Sequence, residues 1–176
     1  MPDYNVILET GDIQNNLVNA VVEIPTGSNL KIEYDRERAC FKVDRVEPAI
    51  YPKPMNYGFI PRTLDLDGDE LDILVITSVA IPTGVWVECR VIGILNFIDD
   101  NEEDYKILAV PSDDRDSGDA IKTLDDLSAR FKEQLREHFL HYKDLKKPNS
   151  TQVLGFGDLK DALKIIRESM DRYINK

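Results

Sequence analysis

Asp65-Leu66-Asp67-Gly68-Asp69-Glu70-Leu71-Asp72 runs directly into Ile73-Leu74-Val75-Ile76. The first eight residues carry five acids, and the four that follow are all aliphatic. Like charges this close repel, and crowding makes each carboxylate harder to keep ionised. A bound cation removes that cost. Ligands that are all oxygen select a hard cation, Mg²⁺ or Ca²⁺, over Zn²⁺. Gly68 permits a tight bend that lets acids on both sides of it converge. The aliphatic run reads as a buried strand, so the acids are expected on a loop held by a rigid element.

Taken alone, such a stretch is also what a solvated acidic turn looks like. A Ca²⁺-binding helix-loop-helix fails on register. With Asp65, Asp67 and Asp69 at loop positions one, three and five, position six is Glu70 instead of Gly. The closing glutamate falls on Ile76. A Mg²⁺ site with an open side, of the kind used on phosphate substrates, is what remains.

The chain has 176 residues, enough for one domain with a real core, and residues 1–176 are read as a single unit. Hydrophobic residues make up 42% and charged residues 31%, a globular composition. The net charge of −11 argues against a nucleic-acid binder, which needs a basic face. It also means that an anionic substrate requires bound metal or locally placed Lys and Arg. Two cysteines, Cys40 and Cys89, and no zinc-like Cys/His spacing fit a reduced, cytoplasmic setting. No apolar segment reaches transmembrane length, and no membrane partner is expected.

Outward from the acidic stretch, Val6-Ile7-Leu8 reads as an edge strand or a docking arm. Val21–Ile24 reads as a strand closed by the turn at Pro25–Asn29. Leu30–Tyr34 alternates, placing Lys31 and Glu33 on one face. Ala39–Arg45 is the next strand, with Arg45 in the parity of Phe41 and Val43, the expected buried face. Residues 46–62 hold four prolines and read as ordered loop. Leu71–Ile76, Val85–Phe97 with a kink at Gly93, and Ile107–Val110 are further strands. Asp99–Asp104 forms an acidic hairpin tip. Two helices close the chain. One is capped near Thr123 and carries Leu127, Phe131, Leu135, His138 and Tyr142; the other starts near Asp158 and carries Leu159, Leu163, Ile166 and Met170. His138 and His141 have no acid partner at ligand spacing and read as packing or contact residues. Many strands followed by two helices, without βαβ alternation, suggest a small barrel with helices outside.

Asp67-Gly68-Asp69-Glu70-Leu71-Asp72-Ile73 resembles the signature of the family I soluble inorganic pyrophosphatases of bacterial type. Glu23-Ile24-Pro25, Lys31-x-Glu33, Val43-Asp44-Arg45, Asn56-Tyr57-Gly58, Asp99 with Asp104 and Lys106, and His141–Leu145 follow in that family's order. The resemblance implies a mainly β fold: a five-stranded, OB-like β-barrel with two flanking C-terminal α-helices. It implies hydrolysis of pyrophosphate to two orthophosphates with several Mg²⁺ ions per site. Asp67, Asp72 and Asp104 match metal ligands, Glu33 and Asp99 serve further metals, and Asp69 matches the general base. Lys31, Arg45, Tyr57, Lys106, Tyr142 and Lys143 match positions at the phosphates. A homo-oligomer is implied, a hexamer as in bacterial relatives. The sequence departs from the family at Lys53, where Tyr is usual, at Asp100, where Glu is common, and at Phe156, where many relatives have Trp. A binding module on the same barrel, a nucleotide phosphohydrolase and a cation buffer are the competing readings. The acidic charge speaks against the first, the lack of a G-x-x-x-x-G-K loop against the second, and the placement of Lys31, Arg45 and Lys143 against the third.

Overall fold

The computed structural model describes residues 3–176. Its strands, in chain order, are β1 (Leu17–Ile24), β2 (Leu30–Asp35), β3 (Cys40–Val46), β4 (Asn56–Phe59), β5 (Asp72–Val75), β6 (Trp86–Asp99), β7 (Glu102–Glu103), β8 (Lys106–Pro111) and β9 (Thr151–Gly157). Three α-helices accompany them: α1 (Tyr4–Ile7), α2 (Ala129–His141) and α3 (Leu159–Ile174). Strand β1 pairs with β4, β4 with β5, β5 with β8, β8 with β6, and β6 returns to β1, so five strands close into a ring. The ring is the expected mainly β architecture. Only the β5–β8 pair in it is parallel, which sets Asp72 opposite Lys106. The hairpin β2–β3 forms a sheet of its own.

The reason for the unbroken aliphatic runs is now visible. Ile73 and Val75 of β5, with Ile107 and Ala109 of β8, join one core cluster with Ala162, Leu163 and Ile166 of α3. Leu74, Leu108 and Val110 join a second with Leu135, Phe139 and Tyr142 around α2. Both faces of β5 and β8 are therefore covered, and neither strand has a polar face. A third cluster, Tyr4, Val21, Tyr34 and Phe59 with Phe41 against it, fastens the β2–β3 hairpin to β1 and β4. Its Tyr4 and Tyr34 rings meet edge-on at 5.2 Å.

Several expectations need correction. Val6-Ile7-Leu8 is not a strand; Val6 and Ile7 lie in α1, capped by Asp3, whose side chain accepts from the Asn5 N–H. Tyr4 is what docks this segment. Residues 46–62 are not all loop. The prolines flank Asn56–Phe59, which is free of them and forms the fully buried β4. The Thr123 cap belongs to a 3-10 turn at Leu124–Asp126, and α2 starts after Ser128, whose hydroxyl accepts from Phe131 N–H. Strand β9 intervenes between the two helices, where no strand is expected; Gly155 and Gly157 break its alternation. On β3, Val43 is 55% exposed, so the parity shared with Arg45 is not a buried face. A register shift between Lys31 and Ile32 upsets the simple count. The Gly93 kink is found as a shift between Val91 and Gly93. A Cβ there would stand 2.7 Å from the Gly157 carbonyl oxygen, so the β9 end can approach only a glycine.

Candidate active site

The acidic loop is a closed turn. Asp65 N–H donates to Asp69 O at 2.7 Å and Gly68 N–H to Asp65 O at 3.2 Å, with Gly68 at φ +95°. The Asp67 carboxylate accepts from the Asp69 N–H at 3.0 Å, an Asx turn that fixes the bend. Asp65 faces away from the others. It is buried against Arg172 of α3, 3.3 Å from the guanidinium, and burial pushes its carboxyl up to about 6. The first acid of the stretch thus ties the loop to α3, and the later ones face a cleft.

That cleft encloses about 640 Å³ and is lined by all twelve residues singled out from the sequence: Lys31, Glu33, Arg45, Tyr57, Asp67, Asp69, Asp72, Asp99, Asp104, Lys106, Tyr142 and Lys143. Topology accounts for the convergence. The parallel β5–β8 register sets Asp72 beside Lys106, and the β6–β7 turn swings Asp104 back past Asp99. Lys31 on β2 lies opposite Arg45 on β3. Tyr142 and Lys143 follow the last turn of α2.

Lys106 is the hub. It is fully buried, and its ammonium donates to both Asp72 Oδ2 and Asp104 Oδ1; the Tyr57 hydroxyl donates to the same Asp72 oxygen. Burial disfavours the charged ammonium, but Asp72 and Asp104 outweigh it and hold Lys106 above the ordinary lysine range. Burial, with the Asp72 charge as a further cause, pushes the Tyr57 phenol up. The Asp104 carboxyl is pushed up to about 6, by burial first and only partly relieved by Lys106. Asp99 receives the Lys143 ammonium and, at 3.3 Å, the Tyr142 hydroxyl on one oxygen. Its other oxygen is buried and has no hydrogen-bond partner. Glu33 stands 3.7 Å from Lys31 and 3.6 Å from Lys42. Asp69 is exposed, and Arg36 holds one of its oxygens at 3.0 Å.

Among the described residues no three His, Cys, Asp or Glu side chains come close enough to form a metal-binding group by themselves. The acids meet protein cations instead: Lys106 stands between Asp72 and Asp104, and Lys143 is on Asp99. The donor chemistry nevertheless fits a hard cation. It is all oxygen, and it includes the unpaired, buried Asp99 Oδ1.

Of the lining residues outside those twelve, three carry charge at telling positions. Glu23 is buried, accepts from Tyr34 N–H at 2.8 Å, and is pushed up to about 7 by burial. Its place next to Ile24-Pro25 was visible, but its inward aim follows from β1 being buried along its second half. Arg36 sits in what reads as a polar turn, and its partners Asp69 and Glu70 are more than thirty residues away. Lys53 lies among prolines, with no periodicity to orient it. His138, in contrast, is the packing residue expected. It stacks on Tyr142 at 5.7 Å, and burial holds its imidazole neutral, down at about 3.

Known proteins share this arrangement of strands and this sequence over almost their whole length. Residues 20–174 match the family described as Inorganic pyrophosphatase. The chain is 55% identical over 173 residues to the inorganic pyrophosphatase of Neisseria meningitidis serogroup A, covering 98% of each. It is 54% identical to that of Haemophilus influenzae, again over 98% of each. The crystal structure of an inorganic pyrophosphatase from Neisseria gonorrhoeae superposes with a TM-score of 0.96 at 53% identity, over 99% of this chain and 100% of that one. The Thermus thermophilus enzyme gives 0.88 at 38% identity, over 95% and 97%. No helix among the described residues is long and apolar enough to cross a membrane. With a family match spanning the ring of strands and near-complete likeness to several of its members, the chain belongs to the inorganic pyrophosphatase family.

Proposed function

We propose that this inorganic diphosphatase splits pyrophosphate into two orthophosphates by Mg²⁺-assisted attack of water, with Asp69 as general base. The observation that carries the reading is the gathering of six acids and six phosphate-type contacts, scattered from Lys31 to Lys143, around one cleft. Asp67, Asp72 and Asp104 would hold Mg²⁺, with Glu33 and Asp99 for further ions. Bound Mg²⁺ supplies two things: neutralisation of a polyanionic substrate and a lower pKa for the water it touches. Asp69 is exposed enough to meet that water and is steadied by Arg36 through the hydrogen bond at 3.0 Å. It accepts the proton as the water oxygen attacks phosphorus. Lys31, Arg45, Tyr57, Lys106, Tyr142 and Lys143 position the two phosphate groups and offset the charge that builds on the leaving one. Lys106 and Lys143 neutralise Asp72, Asp104 and Asp99; were those acids to hold Mg²⁺, the two ammoniums would be released to phosphate oxygens. A cytoplasmic homo-oligomer, a hexamer by family resemblance, completes the reading, with no nucleic-acid or membrane partner.

The test is phosphate release from pyrophosphate with and without Mg²⁺, with ATP as the competing substrate. Release from pyrophosphate that depends on Mg²⁺ and far exceeds release from ATP is the expected result. No release from pyrophosphate at saturating Mg²⁺ overturns it.

A further inference from the structure

Eight lysine and arginine residues line the cleft: Lys31, Arg36, Arg38, Lys42, Arg45, Lys53, Lys106 and Lys143. Seven of them pair with a carboxylate. Lys31 and Lys42 have Glu33, Arg36 has Asp69 and Glu70, Arg38 has Asp35, Arg45 has Asp44 and Glu47, Lys106 has Asp72 and Asp104, and Lys143 has Asp99. Lys53 is the exception. Among the described residues no carboxylate and no hydrogen-bond acceptor meets its ammonium, although the residue is only 6% exposed. Its nearest companions are aromatic faces, Tyr142 at 4.9 Å and Tyr57 at 5.3 Å from the ring centroids. Lys31 and Lys106 stand over the same Tyr57 ring, at 5.4 Å and 5.6 Å.

The Lys53 side chain is largely removed from water while its ammonium meets no anion, which is costly, and cation–π contacts return only part of the loss. The chain spends other interactions on keeping it there. Lys53 N–H donates to Ser28 O at 2.9 Å, Lys53 O accepts from Gly27 N–H at 2.8 Å, and prolines restrict the backbone on both sides. The side chain is thus aimed before any ligand arrives, an arrangement that suits a binding group more than a packing one.

We infer that Lys53 is a further substrate-binding residue, whose ammonium takes a non-bridging oxygen of the phosphate group lodged against Tyr57 and Tyr142. This rests on the reading of the cleft as a pyrophosphate site. Burial, and then the charges of Lys31, Lys106 and Arg45 against the single opposing Glu47, depress the ammonium to about 7. An arriving phosphate oxygen supplies the missing counter-charge. Lys53 differs in this from the other cleft cations, which must first release a carboxylate; it is free to engage at once.

The experiment compares wild type, Lys53→Met, Lys53→Arg and the exposed control Lys164→Met. Calorimetry measures binding of methylenediphosphonate, a non-hydrolysable pyrophosphate analogue, with and without Mg²⁺, and thermal unfolding is followed on the same samples. Loss of one charge-assisted hydrogen bond should weaken binding by Lys53→Met about tenfold to a hundredfold. The unliganded Lys53→Met protein should unfold no lower than wild type, because an unpaired buried charge has been removed. Lys53→Arg should keep part of the affinity, and Lys164→Met all of it. A folded Lys53→Met protein that binds within about twofold of wild type overturns the inference. So does a large drop in unfolding temperature with unchanged affinity, which marks Lys53 as packing. Should Lys53→Met fail to fold, partial affinity in Lys53→Arg together with loss of binding in Lys53→Gln sustains it, and retained binding in Lys53→Gln overturns it. If wild type itself neither binds the analogue nor splits pyrophosphate, the proposed function falls, which is a different result from an unaffected variant of an active enzyme.

Discussion

Asp69 and Asp72 stand three positions apart yet occupy opposite environments. Asp72 is clasped by Tyr57 and Lys106 at the head of β5, whereas Asp69 stands open beside Arg36. Asp72→Asn should lower Mg²⁺ affinity, with excess Mg²⁺ partly restoring the rate. Asp69→Asn should leave Mg²⁺ affinity near wild type and lower kcat by roughly 10²–10⁴, without rescue by metal. Measuring kcat against Mg²⁺ concentration for both variants decides; the opposite pattern of rescue reverses the two roles. Arg45 is steadied by two acids, with Nε on Glu47 at 2.7 Å and Nη1 on Asp44 at 2.7 Å. A lysine cannot reproduce that fork while also facing a phosphate, so Arg45→Lys should lose kcat/KM clearly, and steady-state kinetics at wild-type values would remove Arg45 from the site. Glu23 makes a prediction about pH. Its carboxyl is raised to about 7 in the folded protein from an ordinary 4.5, chiefly by burial. Its contribution to stability is therefore full below about 4.5 and is lost as pH rises towards 7, a change of roughly 3 kcal/mol at most. Denaturant midpoints of the metal-free protein across that range should fall for wild type and fall less for Glu23→Gln. Equal slopes would show that Glu23 does not titrate there.

At the scale of elements, β4 is the piece that holds the site to the ring. Its Tyr57 reaches Asp72 on the neighbouring β5, and its Gly58 lies against β1. A Cβ on Gly58 would stand 1.9 Å from the Val21 carbonyl oxygen and 2.8 Å from the Val21 carbonyl carbon, both backbone atoms. Neither can yield without parting β1 from β4. Gly58→Ala should cost more than about 3 kcal/mol and lower the unfolding temperature by about 6–12 °C, or prevent folding. A thermal scan within a degree or two of wild type would mean that the strands reseat freely. The sequence places β5, β6 and β8 well because their apolar runs are longer than any turn could be. It hides β4 because four buried residues between prolines carry no period, and it hides β9 because two glycines stand where packing residues would mark a strand.

For the whole molecule, most of the net charge of −11 lies outside the cleft, whose lining sets ten acids against eight lysines and arginines. Divalent cations that bind the folded state should stabilise it by mass action. Both Mg²⁺ and Ca²⁺ are expected to raise the unfolding temperature, but only Mg²⁺ should support rapid turnover. Ca²⁺ is larger, tolerates irregular geometry and acidifies its water less. Unfolding scans and phosphate release with each ion separate binding from catalysis; equal turnover with Ca²⁺ would sink the metal-activated-water mechanism.

What the sequence determined by itself was local chemistry and its order. The acidic turn at Gly68, the aliphatic run behind it, the alternation that pairs Lys31 with Glu33, and the apolar stripe of α3 all rest on neighbours within a few residues. Such patterns survive without knowledge of the fold because charge repulsion, backbone freedom and side-chain period act along the chain. Tertiary structure alone decided which acids share a space. It turned Asp65 away to Arg172, brought Asp72 against Lys106 through the parallel β5–β8 register, and exposed Val43 where parity promised burial. It also left Lys53 buried without a counter-charge. These outcomes depend on which strands lie side by side when the ring closes, and a side chain's partners across that ring are set by long-range packing, to which no local period points.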